Sequence, residues 1–288
     1  MGWRDRFEAF AARKRRAAVE ARLPGYTTVM AADAEAGGLE AIASPWTSAL
    51  FDGPFFASAS PDAALPAINT VFVQSADGNT GARDPASLGG GATDTHLIYE
   101  GLSRVRADAV LTGATTIRGS QMVFGVWHPE LVRLREGFAL PRYPAQIVAT
   151  RTGDLGIASE LLFNVPEAPV FILASPAAAG GLQRHVESRP WITLLVSTPD
   201  AHLADALRAL RTDHGIRRIS CIGGRTLATE LIDAGLVQDL YLTTSPVPGG
   251  EAGTPFYTGA APLRTTSVVR KAGRGEETGV VFEHIRLT

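Results

Sequence analysis

Short apolar runs alternate with amphipathic segments from Ala67 onward, and this pattern predicts most of the elements. The apolar runs have the length of strands, whereas the amphipathic segments place leucine and isoleucine at helical spacing. The predicted strands span 68–73, 109–112, 145–150, 170–174, 192–196, 219–222 and 240–244, and the predicted helices span 97–105, 203–210 and 227–234. Such an alternation is typical of an α/β protein with a mostly parallel sheet that helices cover on both faces.

The C-terminal segment has a different pattern. Residues 266–270 and 280–287 predict two further strands, separated by a charged turn that contains Gly273 and Gly279. Two strands joined by a glycine-containing turn pair antiparallel. We therefore expect a C-terminal antiparallel hairpin that closes the sheet.

The first 66 residues predict an N-terminal extension to a main domain of residues 67–288. Residues 3–22 predict a helix that carries a basic run, Arg13 to Arg16, which we interpret as a solvated helix face without a function. Residues 24–66 are rich in Gly, Ala, Ser and Pro, with two aromatic islands that could dock on the main domain. The extension is thus expected to be helical and then irregular.

Composition excludes several classes of protein. The 288 residues carry a net charge of −2 and are 45% hydrophobic, which does not favour a nucleic-acid-binding protein. The single cysteine, Cys221, cannot form an intramolecular disulfide framework or a multi-cysteine zinc site, and no metal is expected. No apolar run approaches the roughly 18 residues of a membrane span. We expect a cytoplasmic enzyme with a small-molecule substrate.

Two glycines, Gly223 and Gly224, lie between a predicted strand and a predicted helix. Without Cβ atoms they allow a ligand to approach the backbone, and the first amides of the helix carry partial positive charge. Thr226 is the expected N-cap of this helix. The turn therefore predicts a phosphate-binding site, although a glycine pair in this position also occurs in turns that bind nothing.

Two further strand ends have similar features. The strand 109–112 runs into Gly113-Ala114-Thr115-Thr116, where small residues and hydroxyl groups follow one another. The strand 68–73 runs into Gln74-Ser75-Ala76-Asp77-Gly78, which contains an Asp-Gly turn. Ligands of open α/β sheets bind beyond the carboxyl ends of the strands, so these segments are candidates for one site.

The order of these motifs resembles that of the RibD C-terminal reductase domain of riboflavin biosynthesis, a relative of dihydrofolate reductase. The similar segments are Ser75–Gly78 (family S-L-D-G), Arg104–Thr116 (family L-R-x-x-x-D-A-V-L-V-G-x-G-T) and Gly223–Leu240 (family E-G-G-P-T-L, then A-G-L-V-D-E-L), and the resemblance covers about three-quarters of the chain. It implies a dihydrofolate reductase-like α/β fold, bound NADPH, hydride transfer to a C=N or C=O carbon, and a homodimer.

The resemblance also implies roles for individual residues. Those implied to bind the cofactor are Gln74, near the nicotinamide, and Gly113, Ala114, Thr116, Gly223, Gly224, Arg225, Thr226 and Leu227, around the phosphates. Arg104 matches the arginine that holds the substrate phosphate, and Asp77 of the S-x-D-G motif is a second substrate-binding candidate. Near the start of the helix that leads to Arg104, Asp94 and His96 are the candidate proton donors; Asp94 has the alternative role of a helix cap.

The sequence departs from the family pattern at the substrate end. Val71 replaces the family lysine, Ile222 replaces the glutamate before Gly-Gly, and residues 119–127 replace the segment D-D-P-x-L-x-x-R. The P-C-x-x-C motif of the RibD deaminase domain is also absent. The resemblance implies a reductase of the aminouracil ribosyl phosphate intermediate without the deaminase domain, whereas Val71 and Ile222 favour a flatter, more apolar substrate. The first alternative is a dihydrofolate or pterin reductase, and the second is an NADPH-binding module without turnover.

Overall fold

The computed structural model describes residues 2–32, 39–82, 84–196 and 203–287. Its strands are β1 (Tyr26–Ala31), β2 (Leu39–Ile42), β3 (Phe55–Ser58), β4 (Ala67–Gln74), β5 (Ala109–Gly113), β6 (Ala145–Thr150), β7 (Val170–Ala174), β8 (Ile192–Val196), β9 (Arg218–Cys221), β10 (Asp239–Thr244), β11 (Thr265–Gly273) and β12 (Val281–Leu287). All strands predicted from the pattern are present, within one or two residues at most ends.

The helices are α1 (Trp3–Glu20), α2 (Pro45–Phe51), α3 (Gly91–Thr93), α4 (Ala114–Ile117), α5 (Pro129–Gly137), α6 (Pro176–Glu187), α7 (Leu203–Thr212) and α8 (Arg225–Asp233). A π-helical segment, Asp94–Leu102, continues α3, and short 3₁₀ turns span Pro85–Leu88, Leu161–Asn164 and Gly275–Glu277. The pattern had not predicted α5 or α6, and α6 buries only Ala178 and Leu182. Among the residues that the structure describes, no helix is long and apolar enough to cross a membrane.

Ten strands form one sheet in the order β1-β11-β12-β10-β4-β9-β5-β6-β7-β8. Neighbours from β10 to β8 are parallel, whereas β10, β12, β11 and β1 pair antiparallel. A separate antiparallel pair is formed by β2 and β3. The mostly parallel α/β sheet and its C-terminal hairpin are thus confirmed.

The core lies on both faces of the sheet because neighbouring side chains of a strand point to opposite faces. On β5, Leu111 packs in a cluster with Leu207 and Leu231 of helices α7 and α8. Val110, its neighbour, packs in a different cluster with Leu182 of α6. Helices therefore cover both faces, as the pattern predicted.

Parts of the N-terminal extension that the structure describes pack onto the main domain. Strand β1 extends it, with Tyr26 opposite Gly273 of β11, and the aromatic rings of Phe51 and Phe55 lie 5.0 Å apart in the core beside Phe282. Helix α1 packs separately, through Phe7 and other apolar residues, on the loops after β5 and β6. The aromatic islands therefore dock, and β1 is an element that the pattern did not reveal.

Candidate active site

The carboxyl ends of the parallel strands border a cleft of ≈ 1980 Å³. Drug-sized ligands occupy pockets of roughly 300–1,000 Å³, so this cleft has room for a dinucleotide and a second ligand together. One side, which we call the glycine half, is lined by residues 113–116, 150–152, 174–175 and 223–227. The opposite side, the helical half, is lined by the π-helical segment, Arg104, the loop around residues 122–127, and helix α1.

The two glycine-containing turns are in direct contact in the glycine half. Strands β5 and β9 are parallel neighbours, so their carboxyl ends meet, and Gly113 N donates to Gly223 O at 3.1 Å. A cis peptide bond joins Gly223 to Gly224, and Gly223 has a φ of +107°, which favours glycine. A Cβ atom built on Gly224 would meet no atom within 4 Å. The backbone therefore faces open space that a ligand can enter.

Two helices begin at these turns. Helix α8 starts at Arg225 with Gly224 as its N-cap, and α4 starts at Ala114 with Gly113 as its N-cap; neither has a side-chain cap. The expected N-cap Thr226 is therefore wrong, because the helix begins before it. The first amides of each helix lack a side-chain acceptor and carry partial positive charge, which suits a phosphate in the cleft.

Arginines surround the glycine half. Arg118, Arg151 and Arg225 all line the cleft. Arg118 lies 3.5 Å from the carboxylate of Asp154, whereas no carboxylate among the described residues lies within ion-pair distance of Arg151 or Arg225. These two guanidinium groups are available to an anionic ligand. The residues predicted from this half, Gly113, Ala114, Thr116 and Gly223 to Leu227, all line the cleft.

A buried carboxyl group, Asp94, faces the cleft from the helical half. Its residue is only 3% exposed, and Thr243 Oγ1 on β10 donates to Asp94 Oδ1 at 2.5 Å. The pKa of Asp94 is raised to about 7, chiefly by burial; the hydrogen bond from Thr243 lowers this pKa and the charge of Glu277 raises it. Because Gly90 is the N-cap of this helix, Asp94 is not its cap. The group can be protonated near neutral pH.

The other candidate proton donor, His96, lies elsewhere. It is buried, its Nδ1 atom is 3.5 Å from Glu100 Oε1, and it does not line the cleft. The structure thus brings Asp94 to the cleft and leaves His96 behind the helix, because the two positions point to different faces.

Arg104 lines the helical half with most of its donors unpaired. The residue is 6% exposed, and Nη1 donates to Gly125 O at 2.8 Å. That carbonyl is the one acceptor among the described residues, and Nε is buried without a partner. A guanidinium has five N–H donors, so Arg104 retains capacity for an anionic ligand.

Two predicted residues have other contacts. Gln74 Nε2 donates to Thr244 Oγ1 at 2.9 Å, and Asp77 Oδ2 accepts from Gly249 N at 3.0 Å. Neither lines the cleft. Gln74 joins the end of β4 to the end of β10, and Asp77 joins the loops that follow these two strands. Both residues therefore support the local structure beside the cleft. Of the residues that depart from the family pattern, Val71 is buried in the core and Ile222 lines the cleft.

Several residues at the cleft had not been expected. Phe10, Arg13 and Lys14 of α1 line the helical half; Arg13 and Lys14 are exposed to solvent, as expected of the basic run, but they also border the cleft. No local pattern identifies them, since their position depends on where α1 packs. Glu100 and Arg151 were missed for the same reason: each is an ordinary charged residue in the sequence.

Metal ligation has no support in the described residues. The sequence contains two His-x-Glu triplets, at His128 and at His185. Within residues 2–32, 39–82, 84–196 and 203–287, no three His, Cys, Asp or Glu side chains converge as a metal site would need.

Comparisons with known proteins agree with this geometry. The family model of the RibD C-terminal domain matches residues 66–274. No curated protein sequence matches the chain.

Similar solved structures include a pyrimidine reductase-like protein from Corynebacterium diphtheriae, with 17% identity, a TM-score of 0.59, and coverage of 77% of this chain and 92% of that one. The riboflavin biosynthesis reductase of Saccharomyces cerevisiae has 14% identity and a TM-score of 0.57, covering 80% of this chain and 93% of that one. RibD of Acinetobacter baumannii has 17% identity and a TM-score of 0.57; the match covers 78% of this chain and 58% of that one. At these identities the structures establish a common fold.

Proposed function

We propose that this chain, which belongs to the RibD C-terminal domain family over residues 66–274, is an NADPH-dependent reductase that acts on 5-amino-6-(5-phosphoribosylamino)uracil. The family is one of reductases, so the chain is an oxidoreductase in class. The cofactor, the substrate and the roles of individual residues are the proposal.

The observation that carries the proposal is the contact between the two glycine turns. The 3.1 Å hydrogen bond from Gly113 N to Gly223 O places two uncapped helix starts beside one open space. A pyrophosphate fits there because backbone amides can reach it and no Cβ of Gly224 blocks it. When bound, a dihydronicotinamide supplies a hydride.

The preference for NADPH over NADH is assigned to the arginines of the glycine half. Arg151 follows β6 and Arg225 begins α8, and both lack a carboxylate partner among the described residues. A ribose 2′-phosphate would pair with such a guanidinium through charge-assisted hydrogen bonds. Arg118 is less suited, because Asp154 already neutralises it.

In the helical half, Arg104 would hold the substrate phosphate and Asp94 would hold the proton. A carboxyl with a pKa of about 7 is partly protonated at neutral pH, so it can donate to a nitrogen or oxygen of the substrate as the adjacent carbon is reduced. The hydroxyl of Thr243 orients this carboxyl from β10. Phe124, Trp127 and Ile222 supply apolar wall to the same cleft.

The test is the oxidation of NADPH by the purified chain, followed by absorbance with the aminouracil ribosyl phosphate, its dephosphorylated form, and dihydrofolate. We expect turnover with the phosphorylated aminouracil and a KM at least about tenfold higher without the phosphate. Failure to bind NADPH contradicts the proposal as a whole. Tight NADPH binding without oxidation of any substrate would instead identify a binding module.

A second candidate function is the reduction of a pterin. The specific observation in its favour is that the buried Asp94 and the apolar Ile222 line one cleft, because a planar ring fits an apolar wall and accepts a proton from a neutral carboxyl. Arg104→Ala separates the two functions. This substitution should strongly weaken the binding of a phosphorylated aminouracil. It should have little effect on the binding of a dihydropterin without a phosphate.

A further inference from the structure

We propose that Arg13 and Lys14 of helix α1, which precedes the residues matched to the family, form with Arg104 the binding site for a phosphate monoester of the substrate. The inference rests on the proposed reductase function and extends it, because it makes the N-terminal helix part of the substrate site. The ligand is recognised by its dianionic charge.

Helix α1 is held in a defined place on the cleft. Phe7, Phe10 and Ala11 are buried against Val123 and Trp127. The Phe10 and Trp127 rings meet edge to face with their centroids 5.4 Å apart. At the start of the helix, Arg6 Nη2 donates to Ser159 O at 2.8 Å. These contacts determine which helix face meets the cleft.

Spacing then places both cations on that face. Arg13 and Lys14 follow Phe10 by three and four residues, and such positions are neighbours on a helix surface. The Arg13 guanidinium lies 5.6 Å from the Phe10 ring centroid. Phe10, Arg13 and Lys14 all line the cleft, whereas the next two arginines, Arg15 and Arg16, do not.

One loop joins the helix to Arg104. Residues 123–127 contact α1 through Val123 and Trp127, and Gly125 O accepts from Arg104 Nη1 at 2.8 Å. The Arg104 guanidinium also lies 5.9 Å from the Phe124 ring centroid. Arg104 and the cations of α1 therefore border the same cleft next to one loop.

The charges at this end of the cleft are unbalanced. No carboxylate of the described residues lies within ion-pair distance of Arg13, Lys14 or Arg104. Glu100 lines the same end, where its Oε2 atom accepts from Trp127 N at 3.0 Å and its charge acts on Arg104 from beyond ion-pair distance.

Three cations, Arg13, Lys14 and Arg104, thus lie at an end of the cleft that holds the two carboxyl groups of Asp94 and Glu100. Nε of Arg104 is buried without a partner, which costs free energy unless a ligand relieves it. A phosphate monoester supplies the missing negative charge and acceptors.

The experiment compares two double variants of α1. Ribose 5-phosphate is titrated into the full-length chain by calorimetry, and NADPH is titrated separately into the same samples. Arg13→Ala/Lys14→Ala removes the two cations at the cleft. Arg15→Ala/Arg16→Ala removes the same charge from the same helix away from the cleft, so it controls for long-range electrostatics. Thermal unfolding of both variants checks that α1 still packs.

We expect the first variant to bind ribose 5-phosphate at least about tenfold more weakly and the control less than about twofold more weakly. NADPH affinity should be unchanged in both. The proposal is overturned if the unaltered chain does not bind ribose 5-phosphate, or if both variants lose affinity equally. It is also overturned if the first variant loses NADPH affinity instead, since the anion would then belong to the cofactor. If the unaltered chain binds ribose 5-phosphate but not NADPH, the proposed reductase function fails and the phosphate site stands.

Discussion

The two halves of the cleft differ in how the chain builds them. The glycine half consists of two short segments, 113–116 and 223–227, at the ends of neighbouring parallel strands. The helical half draws on α1, the π-helical segment and the loop 123–127, which are far apart in sequence. Backbone groups dominate the first half and side chains dominate the second. A surface of backbone amides can therefore be inferred from local sequence, whereas a side-chain pocket cannot.

The halves also differ in their electrostatics. In the glycine half, Arg151 and Arg225 are accessible and the helix amides have fixed partial charges. In the helical half, Asp94 and Arg104 are almost fully buried, so their charges are governed by their neighbours. We expect substitutions in the first half to change cofactor affinity and substitutions in the second to change turnover and pH dependence.

The largest expected effect comes from Gly224→Asp. Gly224 has a φ of −71°, which any residue adopts, and open space beyond its Cβ position, so the fold should persist. The new carboxylate would occupy the proposed pyrophosphate position, and NADPH binding should fall by at least about 1,000-fold. Calorimetry measures this, with ribose 5-phosphate binding unchanged. Gly224→Ala, which adds only a methyl group, is the control. If the Asp variant bound NADPH as tightly as the unaltered chain, the assignment of the cofactor to the glycine half would be wrong.

Asp94→Asn should lower kcat by about 100-fold with little change in NADPH affinity, because the amide keeps the shape but cannot donate the acid proton. Single-turnover kinetics with excess enzyme measure the chemical step. His96→Asn is the matched comparison on the same helix, since His96 does not line the cleft. Unchanged turnover in the Asp94 variant would assign the proton to another group.

Arg151→Ala should weaken the binding of NADPH by about tenfold and leave the binding of NADH unchanged, since only NADPH carries the 2′-phosphate. Titration of both nucleotides measures the difference. Arg118→Ala is the control, because Arg118 is already paired with Asp154. A loss of affinity for both nucleotides in the Arg151 variant would place its guanidinium at a phosphate that they share.

The smallest effect is a shift in the pH profile. Activity that needs the protonated Asp94 carboxyl should decline as the pH rises through about 7. Glu277→Gln removes a negative charge that raises this pKa, so the midpoint should move down by about half a pH unit. Thr243→Val removes a hydrogen bond that lowers the pKa, so its midpoint should move up. A shift of both variants in the same direction would disprove the assignment.

Much of the architecture can be predicted from the sequence. The strand 68–73 and the run 219–222 appear within a residue or two of their predicted ends, because a buried parallel strand needs an apolar run of this length. Strand β1 was not predicted, since its burial alternates around Thr27 and Thr28 and it forms an edge of the sheet. Helix α6 was missed because it contains Gly180 and Gly181 and presents few apolar positions.

The site divides in the same way. The sequence alone determined the glycine half, because the effect of a glycine at a strand end is local. Without a Cβ atom it allows unusual backbone angles and lets a ligand approach the adjacent amides. The tertiary structure alone decided which side chains complete the cleft. It placed the solvent-exposed Arg13 and Lys14 beside the cleft, placed His96 behind its helix, and buried Asp94 against Thr243. The physical reason is that a side chain's environment depends on elements distant in sequence, through their packing and the desolvation that packing causes.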